Sequence, residues 1–165
     1  MYVLDTSVLI QAQKTYYARD IVPAFWQALQ DLHARGVVTC IDHVLDEIRQ
    51  YGDSADPLTE WATTDMPSTA FPTTSTEAVV ETYSRLIEWV NQEPRFGSAA
   101  LNKFARGADG WVVAHASVHS LTVVSMEVSA PMSKTDARMP DVCAAHGITH
   151  IDTYAMLRAV GVRFV

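Results

Sequence analysis

Asp5, Glu47, Asp109 and Glu127 are spread across the whole chain, and each follows or borders a hydrophobic segment of the kind that builds an α/β core. Met1-Tyr2-Val3-Leu4 is apolar and stops at Asp5; Leu121-Thr122-Val123-Val124-Ser125-Met126 is largely apolar and stops at Glu127. Glu47 and Asp109 sit in helical patterns between them. Acids at strand ends and helix edges can converge at one end of a parallel sheet. Like charges gathered there are costly unless a hard cation neutralises them. The pattern points to a Mg²⁺ or Mn²⁺ site, and an acidic site of that kind points to phosphodiester chemistry.

Each residue also has a plainer reading. Asp5 stands where a strand gives way to a helix, with Thr6 and Ser7 behind it, so any of the three can cap that helix. Glu47 lies on the flank of an apolar arc made by Val44, Leu45, Ile48 and Tyr51, while Asp46 points nearly opposite, towards solvent. Glu47 is the better ligand of the two, with a solvated flank as the alternative. Asp109 opens a helix, where a carboxylate is favourable for capping and dipole reasons alone. Gly110 behind it is expected to loosen that helix start. Glu127 can be the ordinary polar end of a strand, and Asp136 or Asp141 can replace or supplement it. Asp141 follows Pro140 in a first helical turn, where the dipole explains it. His115 and His119, four apart, share a helix face, a spacing that can bind metal. Both lie roughly 80–120° around the helix from Asp109, so they read as surface or packing residues.

The elements that would position these groups alternate along the chain. Residues 1–5 read as a buried strand, followed by a helix. Residues 23–35 form a second helix, started by Pro23 and stopped by Gly36. A short β-branched strand, 37–41, leads into a helix over 43–51. Residues 52–76 are rich in Asp, Ser, Thr and Pro but carry Trp61 and Phe71, so they read as an ordered excursion. Helices follow over 76–91, 99–104 and 108–120, then a strand over 121–126. A helix started by Pro140 and stopped by Gly147, a strand over 148–151 and a helix over 153–160 complete the pattern. Residues 162–165 are expected to add a short edge strand. This alternation predicts one α/β domain over 1–165: a three-layer fold with a central, mostly parallel sheet of four or five strands and helices on both faces.

The bounds agree. A chain of 165 residues, 48% hydrophobic and 19% charged, suits one globular domain with a real core. No apolar run approaches the roughly 20 residues of a membrane span, and no signal peptide is visible. Cys40 and Cys143 have no metal-like spacing and read as buried free thiols in a reducing cytoplasm. A net charge of −7 excludes a protein that coats nucleic acid through a basic face. It leaves a nuclease open, because bound cations would offset part of the acidity. No glycine-rich phosphate loop follows the first strand, which argues against a nucleotide cradle.

Taken together, the residues resemble the PIN-domain ribonucleases. That family opens with a strand ending in Asp followed by Thr or Ser, here Val3-Leu4-Asp5-Thr6-Ser7. It sets a Glu in an early helix, here Val44-Leu45-Asp46-Glu47-Ile48. It sets an Asp before a helix of small and apolar residues, here Ala108-Asp109-Gly110-Trp111-Val112-Val113-Ala114, and ends a later strand in Thr/Ser-x-Asp/Glu, here Ser125-Met126-Glu127. The resemblance runs from Met1 to about Phe164 and looks closest to a bacterial branch of PIN-like proteins, through Glu60-Trp61, Arg138-Met139-Pro140-Asp141-Val142-Cys143 and Gly161-Val162-Arg163-Phe164. It implies a metal-dependent endoribonuclease, often the toxin of a toxin–antitoxin pair. On that reading Asp5, Glu47, Asp109 and Glu127 hold one or two Mg²⁺ or Mn²⁺ ions. Ser7 bonds a water on the ion or one of the acids, and Lys103 and Arg106 meet a phosphate. An antitoxin protein would cover the acidic cleft, and a homodimer is compatible with the chain. The rivals are a catalytically silent PIN-fold binding module and a DNA-directed nuclease with the same acidic site. A phosphatase of the haloacid-dehalogenase type would need a second Asp where Ser7 stands.

Overall fold

The computed structural model describes residues 1–52 and 55–164. Its centre is a four-stranded, all-parallel sheet in the order β2-β1-β3-β4: β1 Tyr2–Leu4, β2 Val38–Thr39, β3 Thr122–Val124 and β4 His150–Ile151. Val3 pairs with Thr39 on one side and with Val123 on the other, and Val124 pairs with Ile151. The central strands bury both their faces, which is why they read as unbroken apolar runs rather than as alternating ones. Val3, Leu4, Val123 and Val124 are all buried.

The strands are short because the chain turns into a helix at once after each of β1, β2 and β4. After β1 comes α1, Thr6–Gln11, which runs on into a π-helical turn, Ala12–Tyr16. The next helix, α2, Pro23–Ala34, starts with proline in its first turn and ends before Gly36, whose φ of +69° only glycine adopts readily. β2 leads into α3, Asp42–Tyr51. Then come α4, Pro57–Glu60, and the long α5, Glu77–Gln92. These are followed by α6, Ser98–Arg106, and α7, Asp109–His119. Beyond β3 lie α8, Met139–Ala145, and α9, Thr153–Ala159. The α7 helix packs on β1, β3 and α5, while α2 packs on β2 and α8 on β4. Sheet and flanking helices together fit a three-layer α/β fold.

The excursion before α5 is ordered by its apolar residues. Leu58, Trp61, Met66, Ala70 and Phe71 all belong to the main core, and Trp61 is 1% exposed. Residues 53 and 54 lie outside the described residues. The expected strand at the C-terminus does not form: 162–164 carry no strand pairing, and 165 lies outside the description. Instead Phe164 packs its ring against Tyr17 and Phe25. Both cysteines are free and buried, as expected. Among the described residues no helix is long and apolar enough to cross a membrane.

Candidate acidic centre

Asp5 lies immediately beyond β1, where its backbone N–H bonds the carbonyl of Val124 at the end of β3. It caps α1 by accepting from the Ser7 backbone N–H at 3.1 Å, and the Ser7 hydroxyl donates to the same oxygen, Oδ2. Ser7 Oγ in turn accepts from the Met126 backbone N–H at 3.0 Å. Ser7 thus ties the first acid to the segment that carries the fourth. Of the two roles expected for Ser7, the contact made is the one to an acid.

Glu47 is half-buried on α3, whereas its neighbour Asp46 is exposed and pairs with Arg49 at 3.6 Å. Both Glu47 oxygens are held: Oε2 by the Thr6 hydroxyl, and Oε1 by the Ala108 backbone N–H at 2.7 Å. The carboxylate therefore bridges the starts of α1 and α7. Gly107 lies beside it: a Cβ there would stand in ordinary contact, 3.4 Å from Glu47 Oε1 and 3.9 Å from Asp109 Cγ.

Asp109 is the first residue of α7, and it does not cap that helix. The cap position is Ala108, with no side-chain cap bond. Among the described residues nothing donates a hydrogen bond to the Asp109 carboxylate. Burial, and then the charges of Asp5, Glu127 and Glu47, push its acid up to about 8, with Lys103 pulling weakly the other way. Asp5 is pushed up to about 6, because burial and the charges of Glu47 and Glu127 outweigh its bonds from Ser7. The four carboxylates thus stand within each other's electric fields.

Glu127 is fixed from the far side. Its Oε2 accepts from the Met139 backbone N–H at 2.8 Å, Arg138 stands 4.0 Å from Oε1, and its own N–H bonds the Ser125 hydroxyl at 2.9 Å. The two alternative acids are occupied elsewhere. Asp136 pairs with Lys103 and with Arg138, the latter at 3.3 Å. Asp141 accepts from the Ser129 hydroxyl and from the Ala130 backbone N–H at 2.9 Å, closing the loop before α8. Lys103 is therefore already ion-paired, while Arg106 is exposed at the end of α6.

Three supporting features were not legible in the sequence. Thr6 was one of three possible caps, and it proves to be the clamp on Glu47. The Arg138–Met139 segment reaches back to Glu127, a contact across twelve residues that no local pattern announces. A ring stack of Tyr83, Trp111 and His43 joins α5, α7 and α3, with centroids 3.7 Å apart for Tyr83–Trp111 and 4.6 Å for His43–Trp111. It lies one helical turn from the Glu47–Ala108 bond and locks the two helices that carry Glu47 and Asp109. His115 and His119 lie apart from the acids, as their place around the helix requires.

An all-oxygen donor set suits a hard divalent ion. Among the described residues no three His, Cys, Asp or Glu side chains are drawn close enough to form a ready-made cage. Mg²⁺ fits such a spread, since it usually keeps several waters and takes only one or two carboxylates directly. The unpartnered Asp109 carboxylate and the free Asp5 Oδ1 are the groups open to it.

The molecule is thus an α/β protein with an acidic centre at the carboxyl ends of its strands. The chain belongs to the family described as a domain of unknown function, DUF4411, whose model matches residues 2–164. No curated protein matches it.

Proposed function

We propose that this protein is a metal-dependent endoribonuclease of the PIN-domain type. The observation that carries the proposal is the gathering of Asp5, Glu47, Asp109 and Glu127 from four separate segments towards the carboxyl ends of the strands, where the other three add to burial in raising Asp109 to about 8. Like charges in a partly buried pocket are costly, and Lys103 offsets Asp109 only in part. A divalent cation removes that cost. Asp109 and Asp5 would hold Mg²⁺ or Mn²⁺, with Glu47 and Glu127 completing the shell directly or through water. Such an ion lowers the pKa of a water for attack and neutralises charge building on a phosphodiester. Ser7 and Thr6 orient Asp5 and Glu47, and Arg106 would meet a substrate phosphate. Because the centre is otherwise acidic, a protein partner such as an antitoxin would enter it with Arg or Lys, a charge-assisted contact. Action in the cytoplasm, where the two free thiols remain reduced, belongs to the same proposal.

The test is incubation of the purified protein with cellular RNA under Mn²⁺, Mg²⁺ or EDTA, beside Asp5→Asn. Cleavage that needs the ion and is lost in Asp5→Asn is the expected result. Cleavage that survives Asp5→Asn moves the activity elsewhere. Cleavage of single-stranded DNA alone reassigns the substrate, and no cleavage of either points to a silent binding module.

A further inference from the structure

A cleft lies at the opposite end of the sheet from the acids. It holds about 610 Å³ and is walled in part by Met1, Val38 and Leu121, which stand at or before the amino ends of β1, β2 and β3. Among the described residues no carboxylate, lysine or arginine lines it, but histidines do: His33, whose two ring nitrogens are taken up by Val38 O and Thr69 Oγ1 at 3.1 Å each, and the pair His115 and His119. Their rings, on successive turns of α7, have centroids 4.4 Å apart and are tilted by 47°. His115 is 6% exposed, and its Nδ1 is buried with no hydrogen-bond partner among the described residues. A buried imidazole nitrogen without a partner is a cost that native structures rarely carry without a reason.

We propose that His115 and His119 form a second metal site, one for a borderline divalent ion such as Zn²⁺, with water in the cleft filling the remaining positions. Two imidazoles on one tetrahedral ion have ring centroids roughly 5 Å apart, since Zn–N is about 2.1 Å. The 4.4 Å found here is close to that spacing. One further feature favours a cation at this place. His119 lies in the last turn of α7, at the negative end of the helix dipole. The ligand set separates the two centres: imidazole suits Zn²⁺, Ni²⁺ or Cu²⁺, and carboxylate oxygens suit Mg²⁺ or Mn²⁺. This site does not depend on the nuclease reading.

The test is titration of the full chain with Zn²⁺ alone, followed by calorimetry and by the imidazole NMR signals, in the wild type, His119→Gln and Asp109→Asn. His119 is exposed, so its replacement leaves the fold intact. The expected result is saturable binding that shifts the His115 and His119 signals, resists excess Mg²⁺, persists in Asp109→Asn and weakens roughly tenfold or more in His119→Gln. Absence of binding, equal binding by His119→Gln, or loss in Asp109→Asn overturns the proposal.

Discussion

Asp109 carries the strongest electrostatic signal of any single residue in the acidic centre. Its acid form is held up to about 8 in the folded chain, against an ordinary value of 3.8, and that shift is a statement about stability. Between those two values the folded state keeps a proton that the unfolded state has lost. The contribution is therefore complete below about pH 4 and disappears as pH rises through about 8. In EDTA, melting should accordingly fall as pH rises across that window, and Asp109→Asn should flatten the fall. At pH 7.5 the variant should melt higher than wild type by at least about 2–4 °C, the shift that one kcal/mol makes in a chain of this size. Mn²⁺ should raise the wild-type melting temperature and leave the variant's unchanged. Thermal scans over pH, with and without the ion, check all three. A wild type whose melting is indifferent to pH and Mn²⁺ would remove the electrostatic argument for the centre.

At the scale of elements, the acids depend on how closely α7 meets its neighbours. Gly110 was expected to weaken the start of that helix, but it has a packing role. A Cβ there would meet Tyr83 Cε2 at 2.8 Å and Phe104 Cε1 at 3.1 Å. Glycine lets α7 press against α5 and α6, and this seats Trp111 between Tyr83 and His43. Gly110→Ala should therefore destabilise the protein by about 1–3 kcal/mol, the usual cost of overpacking, although alanine is the better helix former. Chemical denaturation measures it, and a stabilised variant would show that the contact yields easily. The loop that carries Glu127 obeys the same logic. It is bound at one end to Ser7 and at the other to Met139, so the fourth acid is held by two elements besides its own.

Across the whole molecule, the charge balance sets how a nucleic acid could approach. A net charge of −7 repels RNA, and the basic residues near the acids are few: Arg138 stands 4.0 Å from Glu127 and also pairs with Asp136, Lys103 is paired with Asp136, and Arg106 stands exposed. Binding should therefore depend on the divalent ion rather than on a basic surface. Labelled single-stranded RNA should bind weakly in EDTA and at least about tenfold more tightly with Ca²⁺, an oxygen-seeking ion that would occupy the same carboxylates. The log–log salt slope should be about −2 or shallower, because each phosphate contact on a single strand contributes only about −0.7. Fluorescence anisotropy over a salt series reads both quantities, and a steep slope would reveal a basic face elsewhere.

The architecture was legible because alternating apolar runs and helical periods are local signals, and the parallel sheet follows from their order. Glycine and proline punctuation marked the ends of α2 and α8 for the same reason. Asp5 and Glu127 were visible as charges that stop strands, and Glu47 as the inward acid of an adjacent pair. Other features depended on contacts between distant segments. The Thr6 clamp on Glu47 spans 41 residues, and the Ala108 N–H reaches the same carboxylate across 61. The sequence allowed a terminal strand that packing replaced with the docking of Phe164 on Tyr17 and Phe25. It left Asp136 and Asp141 as rivals to Glu127, and tertiary ion pairs and loop bonds occupied both. Residue type and periodicity determine which groups can carry charge to the end of a strand; only the packed fold decides which of them share a dielectric and feel each other's fields.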